Sequence, residues 1–88
     1  YHNIANEWFT ILSGKAIAVF EDIDTKERVV IEMNSDKPIT IFCEPRIAHV
    51  FWNKKSNTED FILQAYSDLV YDPADTIAYD LTSGLNEL

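Results

Sequence analysis

Basic charge, cysteine and long apolar runs are all scarce in this chain of 88 residues, and each shortage excludes something. Seven basic residues (Lys15, Lys26, Arg28, Lys37, Arg46, Lys54 and Lys55) stand against fifteen acidic ones, for a formal charge of −8. They are scattered singly or as one pair, so no basic stripe exists to neutralise a nucleic-acid backbone. An acidic balance serves solubility, and an anionic ligand would need a locally basic pocket. The single cysteine, Cys43, excludes an internal disulfide and fits a reducing compartment. It closes the apolar run 39–43 with no Lys or Arg close before it, so the expectation is an inert buried thiol. No apolar stretch approaches the ~20 residues that cross a bilayer, and no basic-then-apolar leader is present. The expectations are therefore no nucleic acid, no membrane insertion and a cytoplasmic location.

What the chain does have is apolar and aromatic mass. Hydrophobic residues make up 47 % of it, including two Trp, four Tyr and five Phe, which is too rich for disorder. This length makes one domain that buries only about 60–65 % of its unfolded surface, so the core is thin. Pairing with a second copy, as a homodimer, is the expected supplement.

Periodicity points to strands throughout. Residues 8–12 and 16–20 read as two strands around Ser13-Gly14, the second alternating small and large side chains. Residues 28–33 return after the polar turn 21–27 and complete a hairpin, and 34–38 is a run of turn residues. Residues 39–43, 48–53 and 61–67 supply three more strands, separated by Glu44-Pro45-Arg46 and by the polar loop 54–60. Short strands about ten residues apart argue for an all-β sandwich or barrel. The predicted division is a barrel over 1–67 and a C-terminal turn and arm over 68–88, with 75–81 a short helix or an extended arm.

His2, Glu7 and His49 are the group with metal-ligand character. Two imidazoles and a carboxylate suit Fe(II), Mn(II), Zn(II) or Ni(II) and leave positions open for a ligand. Taken singly, His49 among Ala48, Val50 and Phe51 also reads as an ordinary hydrogen-bonded core residue, and His2 and Glu7 as solvated ones. Trp8, Phe9, Phe20, Phe42, Phe51, Trp52 and Phe61 read as core and interface packing, with Trp52 or Tyr66 at the barrel mouth the candidates to stack on a sugar or base.

The spacing resembles the cupin pattern. The first cupin motif has two His one residue apart, a Glu three or four residues on, and a Gly after six more. His2, Glu7, the six residues 8–13 and Gly14 match its second half. The second motif has a Pro-Gly turn, a His, three residues and an Asn, and Pro45-Arg46, His49 and Asn53 resemble it, with Arg46 where Gly is usual. The resemblance implies a small cupin-type β-barrel, or jelly roll, and a further His just before Tyr1.

Glu7 to Ala16 and the ending Tyr66 to Asp75, with its Tyr71-Asp72-Pro73, are similar to cupins of sugar-nucleotide and polysaccharide biosynthesis. These include the dTDP-4-keto-6-deoxysugar 3,5-epimerases and 3,4-ketoisomerases. That likeness implies isomerisation or epimerisation of a keto-deoxysugar nucleotide with no cofactor. His2 or His49 would be the base and Tyr66 or Tyr71 the acid, since proton transfer beside a ketone needs a base near neutral pKa. Lys15, Arg28 and Arg46 are then the candidates for the diphosphate and Trp52 for stacking. The alternative is a metal-binding cupin, enzyme or ligand-binding module, using His2, Glu7 and His49.

Overall fold

The computed structural model describes residues 1–81. Six strands, β1 (Glu7–Ser13), β2 (Lys15–Asp22), β3 (Arg28–Asn34), β4 (Thr40–Cys43), β5 (Ile47–Trp52) and β6 (Ile62–Ser67), form two antiparallel sheets of three. Their orders are β4-β1-β6 and β3-β2-β5, the crossed connectivity of a jelly roll. Each expected strand is present within one or two residues, because β-branched runs bounded by turn residues suit a pleated, half-buried surface.

The expected hairpin of β2 and β3 forms, and at Ser13-Gly14 the chain changes sheets. β1 and β2 do not form a hairpin; β1 pairs with β4 and β6, and β2 with β3 and β5. Gly14 is the corner where the chain leaves one sheet for the other, with φ +83°. The reason is space: a Cβ there would lie 2.8 Å from the Asp60 carbonyl oxygen and 3.0 Å from Phe61 Cα.

The core lies between the sheets. β1 turns Phe9 and Ile11 inward, β2 turns Ala16, Ala18 and Phe20, and Met33 and Cys43 join them. The small alanines of β2 leave room for rings, and Phe51 of β5 meets Phe9 edge-on at 4.9 Å. Alternation sends Ile17 and Val19 to the opposite face of β2, where they pack with Val50 and Trp52. On the other sheet, Phe42, Trp8 and Tyr66 stand in register in an outward row, Trp8 and Phe42 stacked at 5.2 Å.

After β6 the chain runs back beside its own start. A 3-10 turn, η1 (Pro73–Asp75), is capped by the Asp72 carboxylate, which accepts from the Ala74 N–H at 2.9 Å. Beyond it the segment is extended, with His2 and Thr76 bridged antiparallel and the Tyr79 hydroxyl donating to Glu21 Oε2. Of the expected arm, residues 82–88 lie outside the described residues. No helix among the described residues is long and apolar enough to cross a membrane.

Replacing Gly14 by Ala should cost about 1–3 kcal/mol, since it forces a side chain into a left-handed backbone against a carbonyl. Urea unfolding would read this as a lower midpoint at unchanged slope. An unchanged midpoint would show that the corner accommodates a methyl group.

Candidate functional site

Three chain segments deliver His2, Glu7 and His49 to one end of the barrel. Glu7 opens β1 with the inward parity of Phe9; His49 is inward on β5, in the facing sheet; His2 arrives from the segment ahead of β1. One ligand atom from each lies within 4.8 Å of the others. His2 Nε2 is 2.8 Å and His49 Nε2 is 3.4 Å from the same atom, Glu7 Oε1. All three side chains are mostly buried, at 19 %, 17 % and 14 % exposure for His2, His49 and Glu7.

The second nitrogen of each ring fixes its chemistry. His2 Nδ1 is 3.0 Å from the Asp75 carbonyl oxygen and His49 Nδ1 is 3.2 Å from that of Ile47. Carbonyl oxygens only accept, so both Nδ1 atoms carry the proton, and in the neutral rings both Nε2 atoms present bare lone pairs. Those lone pairs face a carboxylate oxygen that is fully buried and has no partner in hydrogen-bonding geometry. With both rings neutral, three electron-rich atoms converge on one point. A buried polar atom in that state is unfavourable unless a cation or a proton occupies the point. The donor set therefore fits a divalent transition metal.

Phe9 packs against the His49 ring at 4.8 Å, and Cys43, paired with Glu7 across the β1/β4 ladder, places its Sγ 3.7 Å from His49 Nδ1. Burial, helped by the Glu7 charge, pushes the Cys43 thiol up to about 12, so it stays protonated, in keeping with the inert thiol expected. Burial also pushes the His49 imidazole below its ordinary value, although the Ile47 carbonyl and Glu7 pull the other way.

The site opens into a cavity of about 270 Å³ lined by His2, Glu7, Tyr71, Asp72 and Asp75 among others. Tyr71 therefore shares the space of His2. Tyr66 does not. It pairs with Trp8 in the β1/β6 ladder and points outward, away from Glu7 and Phe9, so strand parity separates it from the histidines of its own chain. Trp52 sits on the outward face of β5, opposite His49. Lys15 begins β2 beside Gly14, a full seven-residue strand away from Glu7, or roughly 20 Å at strand rise.

The two arginines are engaged by acids. Arg28 Nε donates to Glu21 Oε1 at 3.0 Å. Arg46 makes a two-bond pair with Asp24, at 2.8 and 3.0 Å, and donates from Nη1 to Asn3 Oδ1 at 3.0 Å. The tight turn expected of Gly forms with Arg at φ +66°, held by those bonds and by the Arg46 N–H donating to the His2 carbonyl at 2.6 Å. Neither arginine lines the cavity. Asn53, matched to the second motif, donates to the Glu59 carbonyl and shapes the following loop.

Asp75 is the residue that sequence reasoning missed. Its carboxylate accepts from the N–H groups of Asn3, Ile4 and Ala5 at 2.8, 3.0 and 3.1 Å. Burial opposes its charge, but those three donors outweigh burial and hold the carboxyl below its usual range. The only sequence signal was its place just after Tyr71-Asp72-Pro73.

The depressed value of His49 sets a pH dependence. An unfolded His titrates near ~6.5, so between that value and the lower folded one the unfolded chain takes the proton first. The contribution is full above about pH 6.5 and is lost as pH falls through the folded value. Metal-free protein should therefore melt at progressively lower temperature as pH drops below about 6.5, and His49→Asn should flatten that limb. Superimposable profiles would assign the limb to another group.

No protein-family model matches this chain, and no curated protein matches it by sequence. Its fold is similar to three solved structures of one protein. Two are of the capsular polysaccharide assembling protein CapF from Staphylococcus aureus, both with TM-score 0.75 at 22 % identity over 84 % of this chain. The third, of CapF with the inhibitor 3-isopropenyl-tropolone, has TM-score 0.74 at the same identity and coverage. The chain spans about a fifth of their length, 20 to 21 %. At that identity the likeness is one of fold, and the fold is the all-β jelly roll of cupin type.

Proposed function

We propose that this chain is a cupin-type domain of polysaccharide biosynthesis in which His2, Glu7 and His49 hold a divalent transition metal ion, Fe, Mn, Zn or Ni, beside a cavity that takes a sugar ligand. The observation that carries the metal is the buried Glu7 Oε1, unpartnered and faced by two Nε2 atoms. Support for the polysaccharide setting comes from the fold likeness to a capsular polysaccharide assembling protein and from the Tyr71-Asp72-Pro73 run.

A metal bound there would polarise a carbonyl or hydroxyl oxygen of the ligand. The chain's own residues do the remaining work. The Asp75 and Ile47 carbonyls orient the two rings, Glu7 supplies the carboxylate that favours a cation, and Phe9 packs against the His49 ring on the inner side. Tyr71 lines the same cavity, and we assign it the proton exchange at a carbon beside a ligand carbonyl. With Arg28 and Arg46 bound to acids and Lys15 at the far corner, recognition rests on the sugar rather than on a diphosphate.

The shared cavity of His2 and Tyr71 favours a second reading, cofactor-free epimerisation or isomerisation of a keto sugar. There a proton takes the metal's place, one imidazolium pairing with Glu7 while the other ring acts as base. In either reading we assign a homodimer contact to the outward row of Phe42, Trp8 and Tyr66. Sedimentation showing a monomer at micromolar concentration would remove that assignment.

Elemental analysis of purified protein should find close to one Fe, Mn, Zn or Ni per chain, removed by chelation and absent from His49→Asn. Glu7→Gln should lose the metal too, yet its metal-free form should melt above the metal-free parent, because an amide N–H can donate to a bare Nε2. A parent without stoichiometric metal would turn the choice to the second reading, tested by solvent-deuterium uptake into keto sugars.

A further inference from the structure

We propose that Asp75 is a positioning residue for His2: its carboxylate holds the backbone that follows His2 while its own carbonyl holds the His2 ring, aiming Nε2 at Glu7 and His49. The metal half of this proposal rests on the metal site described above; the ring-orientation half does not.

The need for such a device comes from topology. Glu7 and His49 are strand residues whose positions are fixed by ladders on β1 and β5. His2 belongs to no strand and has one isolated bridge, to Thr76. Between His2 and β1 the chain makes a tight pass whose N–H groups at residues 3, 4 and 5 have no sheet partner and turn to one carboxylate. Successive N–H groups converging in this way form a concavity for an anion, and here the anion is Asp75. It is buried at 8 % exposure and carries a full set of donors.

The second half of the grip is the Asp75 carbonyl, 3.0 Å from His2 Nδ1. A residue that binds at once the chain beyond His2 and the ring of His2 leaves the imidazole little freedom to rotate. It also fixes the tautomer, because the proton must sit on Nδ1 to reach a carbonyl. Asp75 is itself set by η1, with Asp72 capping the turn and Pro73 at its start. Next in line, Asn6 donates its N–H and its side-chain amide to the Asp68 carboxylate at 2.9 and 2.8 Å, so the tail holds the entry segment at consecutive points.

Asp75 would act on the metal through His2 alone, so the test separates ring orientation from affinity. In metal-free protein, long-range proton–nitrogen spectra of labelled imidazoles should show both rings in the Nδ1–H form. Asp75→Asn should shift His2 toward the Nε2–H form while His49 keeps its pattern. In the metal arm, Co(II) titration followed by its visible bands should show affinity lowered about 10- to 100-fold, the range for groups that orient ligands.

Asp72→Ala, which loosens the turn without touching the entry segment, should move His2 in the same direction by less. It supplies the answer if Asp75→Asn does not fold. The proposal is overturned if His2 stays Nδ1–H with affinity within twofold of the parent, or if both rings change equally, which would mark general loosening. A parent that binds no Co(II) would remove the metal reading and leave the His2 spectra to decide the role of Asp75.

Discussion

The narrow space between the two sheets governs the rest of the molecule. Ala18, on the central strand β2, is wholly buried, and Ala16 beside it nearly so. With methyl groups on one wall, the rings of Phe9, Phe20 and Phe51 from the surrounding strands can fill the interior edge to face. Strand side chains alternate, so each strand has only every second residue to contribute. Glu7 has the parity of Phe9, and His49 that of Phe51. They are the polar residues that follow the aromatic filling where it ends, and a site at that end consists of whichever residues the inward parity supplies.

That constraint explains what could and could not be read in advance. Strand positions were legible because Val, Ile, Thr and aromatic runs are punctuated by turn residues. Pairing at Ser13-Gly14 was not, since a hairpin turn and a corner between sheets have the same local composition, and only the distant Asp60 and Phe61 tell them apart. The convergence of His2, Glu7 and His49 was legible through the resemblance of their spacing to the cupin motifs. Tyr66 and Trp52 had the right chemistry and the wrong parity, one residue from an inward position in each case. Arg28 and Arg46 looked available in the sequence because nothing there shows that Glu21 and Asp24 hold them. Asp75 left almost no trace, because a carboxylate that accepts backbone N–H groups seventy or so residues away requires no particular side chains of its partners.

Two buried carboxylates in this acidic chain make the electrostatic case by contrast. Asp75 brings a charge inside and meets three N–H donors, so its ionised form is favoured. Glu7 also brings a charge inside, yet its buried oxygen faces two nitrogens whose protons point elsewhere. One carboxylate has three N–H donors within the chain, and the other has a buried oxygen with no partner in hydrogen-bonding geometry. Burial of His49 works in the same direction, since it disfavours the doubly protonated ring and holds that imidazole below its ordinary value.

His2 is the one of the three site residues that lies outside the sheets, and the turn at Arg46 ties it to them. Glycine would adopt a φ of +66° without strain. Arginine adopts it with strain, but its side chain reaches Asp24 and Asn3 while its N–H binds the His2 carbonyl. The β4–β5 turn that presents His49 is thereby tied to the segment that presents His2. On the other flank Asp75 holds the residues that follow. His2 is thus gripped from both sides, by the turn that joins edge strand β4 of one sheet to edge strand β5 of the other and by the chain that follows β6.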